Sequence, residues 1–337
     1  MFRKLSLSLI LLFLLPVNAF ALSPKPDSVF VRVIDVGQGL CCVIVMPDNH
    51  YMIYDTGPNG RETKLMPRIE KFIEPGSTVD LLVISHNDAD HICAVDEICR
   101  DFKVATVIET GDDRPDGANW RKMDTAIKAE VENDDCTDIN LGNEDLEPGT
   151  VFKFGEVSVT FICGFNEPLE EWGNLETSPR NNCISIVMRL EYEGHSILFS
   201  GDSVGREIGD LPDACIAEEK YMVDHSKTVP IASDVLIVPH HGSDAASSTA
   251  FIETVKPKYA IISAGSGYGH PHRDAVERII SVLNLKKSKI FRTDRGDDEG
   301  GEEWVDKYTG EGDGPWDDNV DILLPASGNI KVKYCSS

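Results

Sequence analysis

The sequence predicts an α/β protein in which two β-sheets pack face to face with helices on the outside. Two observations carry this expectation. Strand-like runs come in two successive groups, each followed by helix-compatible stretches. The residues best able to bind metal fall at or just beyond the ends of those runs, where rigid strands fix the positions of loops.

In the first group, 29–36 and 42–46 alternate or run apolar, and 50–54 leads into Asp55-Thr56-Gly57. Leu65, Ile69, Phe72 and Ile73 give 61–73 a helical face, with Pro67 expected near its start. Residues 79–85 read as a buried strand broken only by Asp80 and ending at His86. A helix over 94–102 and a strand over 104–108 complete the group. The second group has strands at 151–154, 157–163, 183–191, 196–200, 235–238 and 260–263, with helices at 247–255 and 273–283. Residues 110–149 and 294–320 are rich in Asp, Glu, Gly and Asn and read as acidic loop insertions. The stretch 294–318 lacks the Asp-x-Asp-x-Asp-Gly spacing of a calcium loop, which favours a solvated loop.

Residues 1–21 form a unit of their own. Arg3 and Lys4 supply a basic start, about 13 apolar residues follow, and Ala19-Phe20-Ala21 ends in small residues. The apolar run falls short of the roughly 20 residues needed to span a bilayer. The expectation is a cleaved secretory signal and a soluble secreted or periplasmic protein comprising 22–337. The nine cysteines would then meet an oxidising compartment; they contain no C-x2-C pair, and their odd number leaves at least one unpaired within the chain. The net charge of −25, about −27 after loss of Arg3 and Lys4, repels a phosphate backbone. Nucleic acid is therefore disfavoured as an avid ligand, and any phosphate ester would have to be captured locally.

The chemistry gathers in the loops after the strands. "SHNDADHI" at 85–92 places His86, Asp88, Asp90 and His91 after one strand, and "SGD" places Asp202 after another. "VPHHGS" supplies His240 and His241, "GHPH" supplies His270 and His272, and Asp55 follows the third strand. Six His and four Asp in such loops point to divalent metal. Asp202, arriving from a separate strand, suits a bridge between two ions, and a pair of ions can clamp both the attacking and the leaving oxygen of a phosphate ester. His50, His195 and His225 stand alone and are expected to be structural or exposed.

"VIDVGQGLCCVI", "YDTG", "SHNDADH", "NNCISIVMRLEYEGHSILFSGD", "VPHHGS" and "GYGHP" occur in this order across 33–271. Together they resemble the metallo-β-lactamase fold, and more closely the extracellular hydrolase domain of the competence protein ComEC and its stand-alone relatives. The resemblance implies a four-layer αββα sandwich holding two divalent ions, zinc or manganese. It implies that His86 and Asp88 ligate one ion, Asp90 and His91 the other, and that Asp202 bridges them. His240 and His241 would complete the shells, with His270 a competing ligand. Asp55 would orient a ligand from behind, and Asn182 would stand where lactamases supply an imidazole. With Asp88 and Asn182 in place of two imidazoles, the site is richer in oxygen than a lactamase site and better suited to manganese or zinc.

The activity expected is hydrolysis of a phosphodiester. Asp90 would orient the nucleophile, His240 or His270 would protonate the leaving oxygen, and Ser243 with the Gly242 turn would contact phosphate. Two other readings stand beside it: hydrolysis of a lactone, β-lactam or phosphocholine ester, and a metal-binding module without turnover.

Overall fold

The computed structural model describes residues 22–335 apart from 59, 61, 134–135, 174, 176, 266–267 and 296–317. The expected signal segment and most of the acidic stretch 294–320 lie outside the described residues.

Two sheets dominate. The first has eight strands, in the order Lys331–Cys335, Asn319–Pro325, Ser28–Val33, Cys42–Met46, His50–Tyr54, Leu81–Val83, Thr106–Glu109, Thr137–Asn140. The second has seven, in the order Ile290–Arg292, Tyr259–Ile262, Val235–Ile237, His195–Phe199, Val187–Tyr192, Val157–Cys163, Val151–Phe154. Both sheets are mixed. The first is antiparallel from Lys331–Cys335 through His50–Tyr54 and parallel beyond it. The second is antiparallel from Val151–Phe154 to His195–Phe199 and then parallel to Ile290–Arg292. Parallel strands end at the same edge of a sheet, so each sheet presents a row of loops there.

The alternation of side chains along each strand sorts the core into layers. Val29, Val31, Ile44, Met52 and Tyr54 face Val159, Phe161, Met188, Ile197 and Phe199 between the sheets. The opposite face of the first sheet, with Val43, Ile53, Leu82 and Ile84, is covered by Leu65, Ile69, Ile98, Met123 and Ile127 from helices. The second sheet turns Leu198, Leu236 and Ile262 toward Phe251, Ile252, Val276 and Ile279. The result is the αββα sandwich. Each fully buried Phe, Leu or Ile contributes about 1.5–3 kcal/mol relative to exposure, so the three layers of contact hold the strand ends firmly.

Several elements differ from the sequence reading. The segment 110–149 is not a loop insertion: it contains the helix Ala118–Asn133 and the edge strand Thr137–Asn140. That helix buries only Met123, Ile127 and Glu130, too thin a stripe to stand out in a polar composition. Asp80 ends one strand rather than merely interrupting it. Its carboxylate accepts the Tyr51 N–H at 2.7 Å and meets His50 Nδ1 at 3.0 Å, and Thr78–Val79 pairs separately with Lys103–Val104. Pro67 sits inside the helix Glu62–Ile69 rather than at its start; lacking an N–H, it weakens the ladder of a helix that stops two residues later. The strand expected from Cys183 begins only at Val187, because 177–182 is a helical turn. The strands Ile290–Arg292, Asn319–Pro325 and Lys331–Cys335 were not anticipated. The second of these lies beside Ser28–Val33, where Arg32 grips Asp321 through two bonds of 2.7 and 2.8 Å. None of the nine cysteines forms a disulfide.

Candidate metal centre

The loop rows of the two sheets meet, and main-chain bonds tie them together. Between the sheets, Ile186 N–H donates to Ser85 O at 2.8 Å; within the second sheet's row, His240 N–H donates to Gly201 O at 3.1 Å. Gly201 has a φ of 48°, and a Cβ there would lie 2.7 Å from the Ser85 Cβ. Only glycine fits this crossing, and it carries Asp202 up to the loop that holds His86. His240 and His241 both adopt left-handed backbone, with φ of 51° and 53°. Two consecutive non-glycine residues in that region store strain, a mark of a turn shaped for its side chains.

Three imidazoles are oriented alike. His91 Nδ1 lies 2.8 Å from Asp55 Oδ2, His241 Nδ1 lies 2.8 Å from the Ser263 carbonyl, and His86 Nδ1 lies 3.1 Å from Ser85 Oγ. The Ser85 hydroxyl in turn donates to Asp55 Oδ2 at 2.8 Å, and the Ser85 N–H donates to Asp55 Oδ1 at 2.7 Å. With Nδ1 anchored in each ring, Nε2 is the atom presented to the cavity, as a metal ligand requires.

Those Nε2 atoms converge on carboxylates. His91 Nε2 lies 3.4 Å from Asp202 Oδ1 and 3.3 Å from His241 Nε2. His241 Nε2 lies 3.4 Å from both Asp90 Oδ2 and Asp202 Oδ2, and His240 Nε2 lies 4.0 Å from Asp202 Oδ2. Two donor groups result, each compact enough to hold one ion: His86, His91 and Asp202, and Asp90, His91 and His241. They share His91. His86 Nε2 and Asp202 Oδ1 are buried without a hydrogen-bond partner, so both donor atoms are left for a cation.

The charge states agree with that reading. Burial opposes an imidazolium at His241, yet Asp202 and Asp90 raise its pKa to about 10. His91 is also buried, and Asp202 and Asp55 hold its pKa well above the ordinary histidine value. Burial would raise the pKa of Asp202, but His241, His91 and His240 pull it well below the carboxylate range. Without a metal ion, then, protons on two rings supply the positive charge that these carboxylates demand. A divalent ion would displace those protons.

The remaining expected residues line the same cavity, of about 780 Å³. Asp88 Oδ2 lies 3.7 Å from His86 Nε2, while its Oδ1 is gripped by Arg114. Asp88 stands outside both compact donor groups among the described residues. Asn182 Nδ2 donates to His240 Nε2 at 3.0 Å, which leaves the buried His240 Nδ1 unpartnered. Burial lowers the pKa of His240 to about 4 and that of His270 to about 2. The Ser243 N–H is taken by the His240 carbonyl at 2.8 Å, so the hydroxyl is what Ser243 can offer a ligand. His50, His195 and His225 lie away from this cavity.

Sequence reasoning missed Ser85 and Arg114. Ser85 stands next to His86 within the motif and could have been found there. A lone arginine in an acidic or glycine-rich loop gives no such signal.

A sandwich of this kind, with strand-end loops presenting His and Asp donors, is a scaffold for a metal centre. The Metallo-beta-lactamase superfamily model matches residues 34–266, and the chain belongs to that superfamily. Among curated relatives it is 25% identical to ComE operon protein 3 of Bacillus subtilis over 283 residues, 79% of this chain and 32% of that protein. It is 26% identical to Recombination protein 2 of Haemophilus influenzae over 270 residues, 78% of this chain and 27% of that protein. It is 25% identical to Competence protein ComA of Neisseria gonorrhoeae, covering 78% of this chain and 31% of that protein. The chain thus spans about a third of the length of the relatives it matches. Among solved structures, the metallo-beta-lactamase fold protein YhfI from Bacillus subtilis aligns with a TM-score of 0.47 at 13% identity, covering 79% of this chain and 96% of that one. The protein is therefore a metallo-β-lactamase-fold hydrolase related to the ComEC-like competence proteins.

Proposed function

We propose that the protein is an exported phosphodiesterase that uses two divalent ions, zinc or manganese. The observation that carries this reading is the donor set around Asp202. Asp202 and Asp90 contribute carboxylates to the two compact groups, Asp88 lies just outside them beside His86, and Asn182 places an amide against His240, where a typical lactamase relies more on imidazole. Such a set is hard and oxygen-rich, suited to ions that bind phosphoryl oxygen. Ions held by His86, His91, His241, Asp90 and Asp202 would supply Lewis acidity at phosphorus and a nucleophile at neutral pH.

The chain's own residues do the rest. Asp90 is held anionic: burial opposes ionisation, but the bond to His241 and the charge of His91 outweigh it. Its carboxylate can orient a nucleophile. His240 and His270 are neutral at physiological pH, given pKa values lowered to about 4 and about 2. Either ring could donate its N–H to the leaving oxygen, the role the sequence reading gives them. The Ser243 hydroxyl is the phosphate contact that the turn provides. The net charge of −25 disfavours a long polyanion and favours a small ester that enters the cavity.

A panel of bis(p-nitrophenyl) phosphate, single-stranded DNA, cyclic dinucleotides, phosphocholine esters and nitrocefin, each with manganese or zinc, tests the reading. Turnover of phosphodiesters is expected, with Asp90→Ala lowering it by about 10³-fold or more and leaving the circular dichroism spectrum unchanged. Turnover of nitrocefin with none of the phosphodiesters would overturn it.

A further inference from the structure

Arg206 stands on the wall of the metal cavity and is 2% exposed. Its side chain donates to the carbonyls of Leu211 at 2.9 Å and Asp210 at 2.8 Å. Among the described residues no carboxylate pairs with it, and its Nε is buried without a partner. Burying a guanidinium without a counter-charge is costly, so such a group persists where an anion visits.

The arginine is also fixed at its base. The backbone N–H groups of Gly205 and Arg206 both donate to Ala245 O at 3.0 Å, just beyond the His240–Ser243 turn. A cation anchored at both ends binds with little loss of conformational freedom. Beyond it the rim changes character. Ile208 is 73% exposed and Tyr268 is 83% exposed, and both line the mouth of the same cavity in an otherwise acidic protein.

We propose that Arg206 is an oxyanion clamp of the metal cavity, gripping a phosphate oxygen of the substrate while Ile208 and Tyr268 cover the apolar or aromatic part of the ester. The substrate class is then a small phosphate ester with an apolar or aromatic substituent. The identity of the anion rests on the phosphodiesterase reading; the clamp itself rests on the buried, uncompensated guanidinium.

The test is binding of inorganic phosphate to the zinc-loaded full chain. Arg206→Gln is expected to weaken binding at least tenfold with zinc content unchanged, and affinity equal to wild type would overturn the clamp. Should Arg206→Gln fail to fold, the wild-type protein decides. The Arg206 Nε–H resonance, identified by its absence from Arg206→Lys, is expected to shift as phosphate is added, and a resonance that stays put overturns the proposal. The two readings fail separately. If none of the phosphodiesters is hydrolysed, the phosphodiesterase reading falls, while the phosphate-dependent shift still judges Arg206.

Discussion

His91 and Asp88 share one short turn, yet their surroundings differ in every respect that governs ligand strength. His91 is fully buried, its Nδ1 is fixed by Asp55, and its Nε2 meets Asp202 and His241. The Asp88 side chain is 30% exposed, and one of its oxygens is committed to Arg114. The inner part of the centre is thus organised before any ion arrives, whereas the outer part must share its carboxylate with a cation of the protein's own. The two ions should bind unequally, the tighter one at Asp90, His91, His241 and Asp202.

The comparison can be broken first at its strongest point. Because His91 belongs to both donor groups, His91→Ala should remove both ions, and metal analysis should fall from close to two per chain to near zero. Retention of one ion would show that the groups are independent. Asp55→Asn leaves every ligand in place but loses the charge that orients His91. An indirect change of this kind should weaken metal affinity about 10–100-fold, read by competition with a chelating dye.

The protonated rings give a pH test. In metal-free protein, His91 and His241 have raised pKa values, so their stabilisation is complete below the unfolded value of about 6.5. It is lost as pH rises through the folded value, about 10 for His241. Melting temperature in chelator should decline between those limits, less steeply in His241→Asn. Identical slopes would show that the rings are neutral already. The smallest effect is expected at Arg114. Arg114→Gln frees Asp88 and removes a nearby positive charge, so the weaker ion should bind about 3–10-fold more tightly, a difference of about 1 kcal/mol. Weaker binding instead would mean that Arg114 positions Asp88 for the metal.

Much of this centre was legible in the sequence because it is local. His86, Asp88, Asp90 and His91 follow one apolar run, and Asp202 and the His240–His241 pair each follow another. The αββα layering was legible for the same reason, since its strands are apolar and bounded by turns. What stayed hidden depends on contacts distant in the chain. The strand Thr137–Asn140 is half-buried at a sheet edge and carries little apolar signal. Arg114 meets Asp88 across 26 residues, and Arg206 gains its meaning only from what fails to surround it. The division of labour between the two ions is a property of burial, and burial is decided by packing.

The position of Asn319–Pro325 has a consequence for when the protein can work. This strand pairs along the whole of Ser28–Val33, and the Asn319 side chain accepts the Asp35 N–H at 3.1 Å. Asp35 in turn receives the Gly37 N–H at 3.1 Å, at the start of the loop whose Gly39 carbonyl accepts the Ser263 hydroxyl beneath His241. A polypeptide that emerges amino end first has its ligands in hand long before this strap is available. The seam that sets the ligands therefore waits on residues 319–325, and a nascent chain stalled short of residue 319 would carry every metal ligand and still lack it.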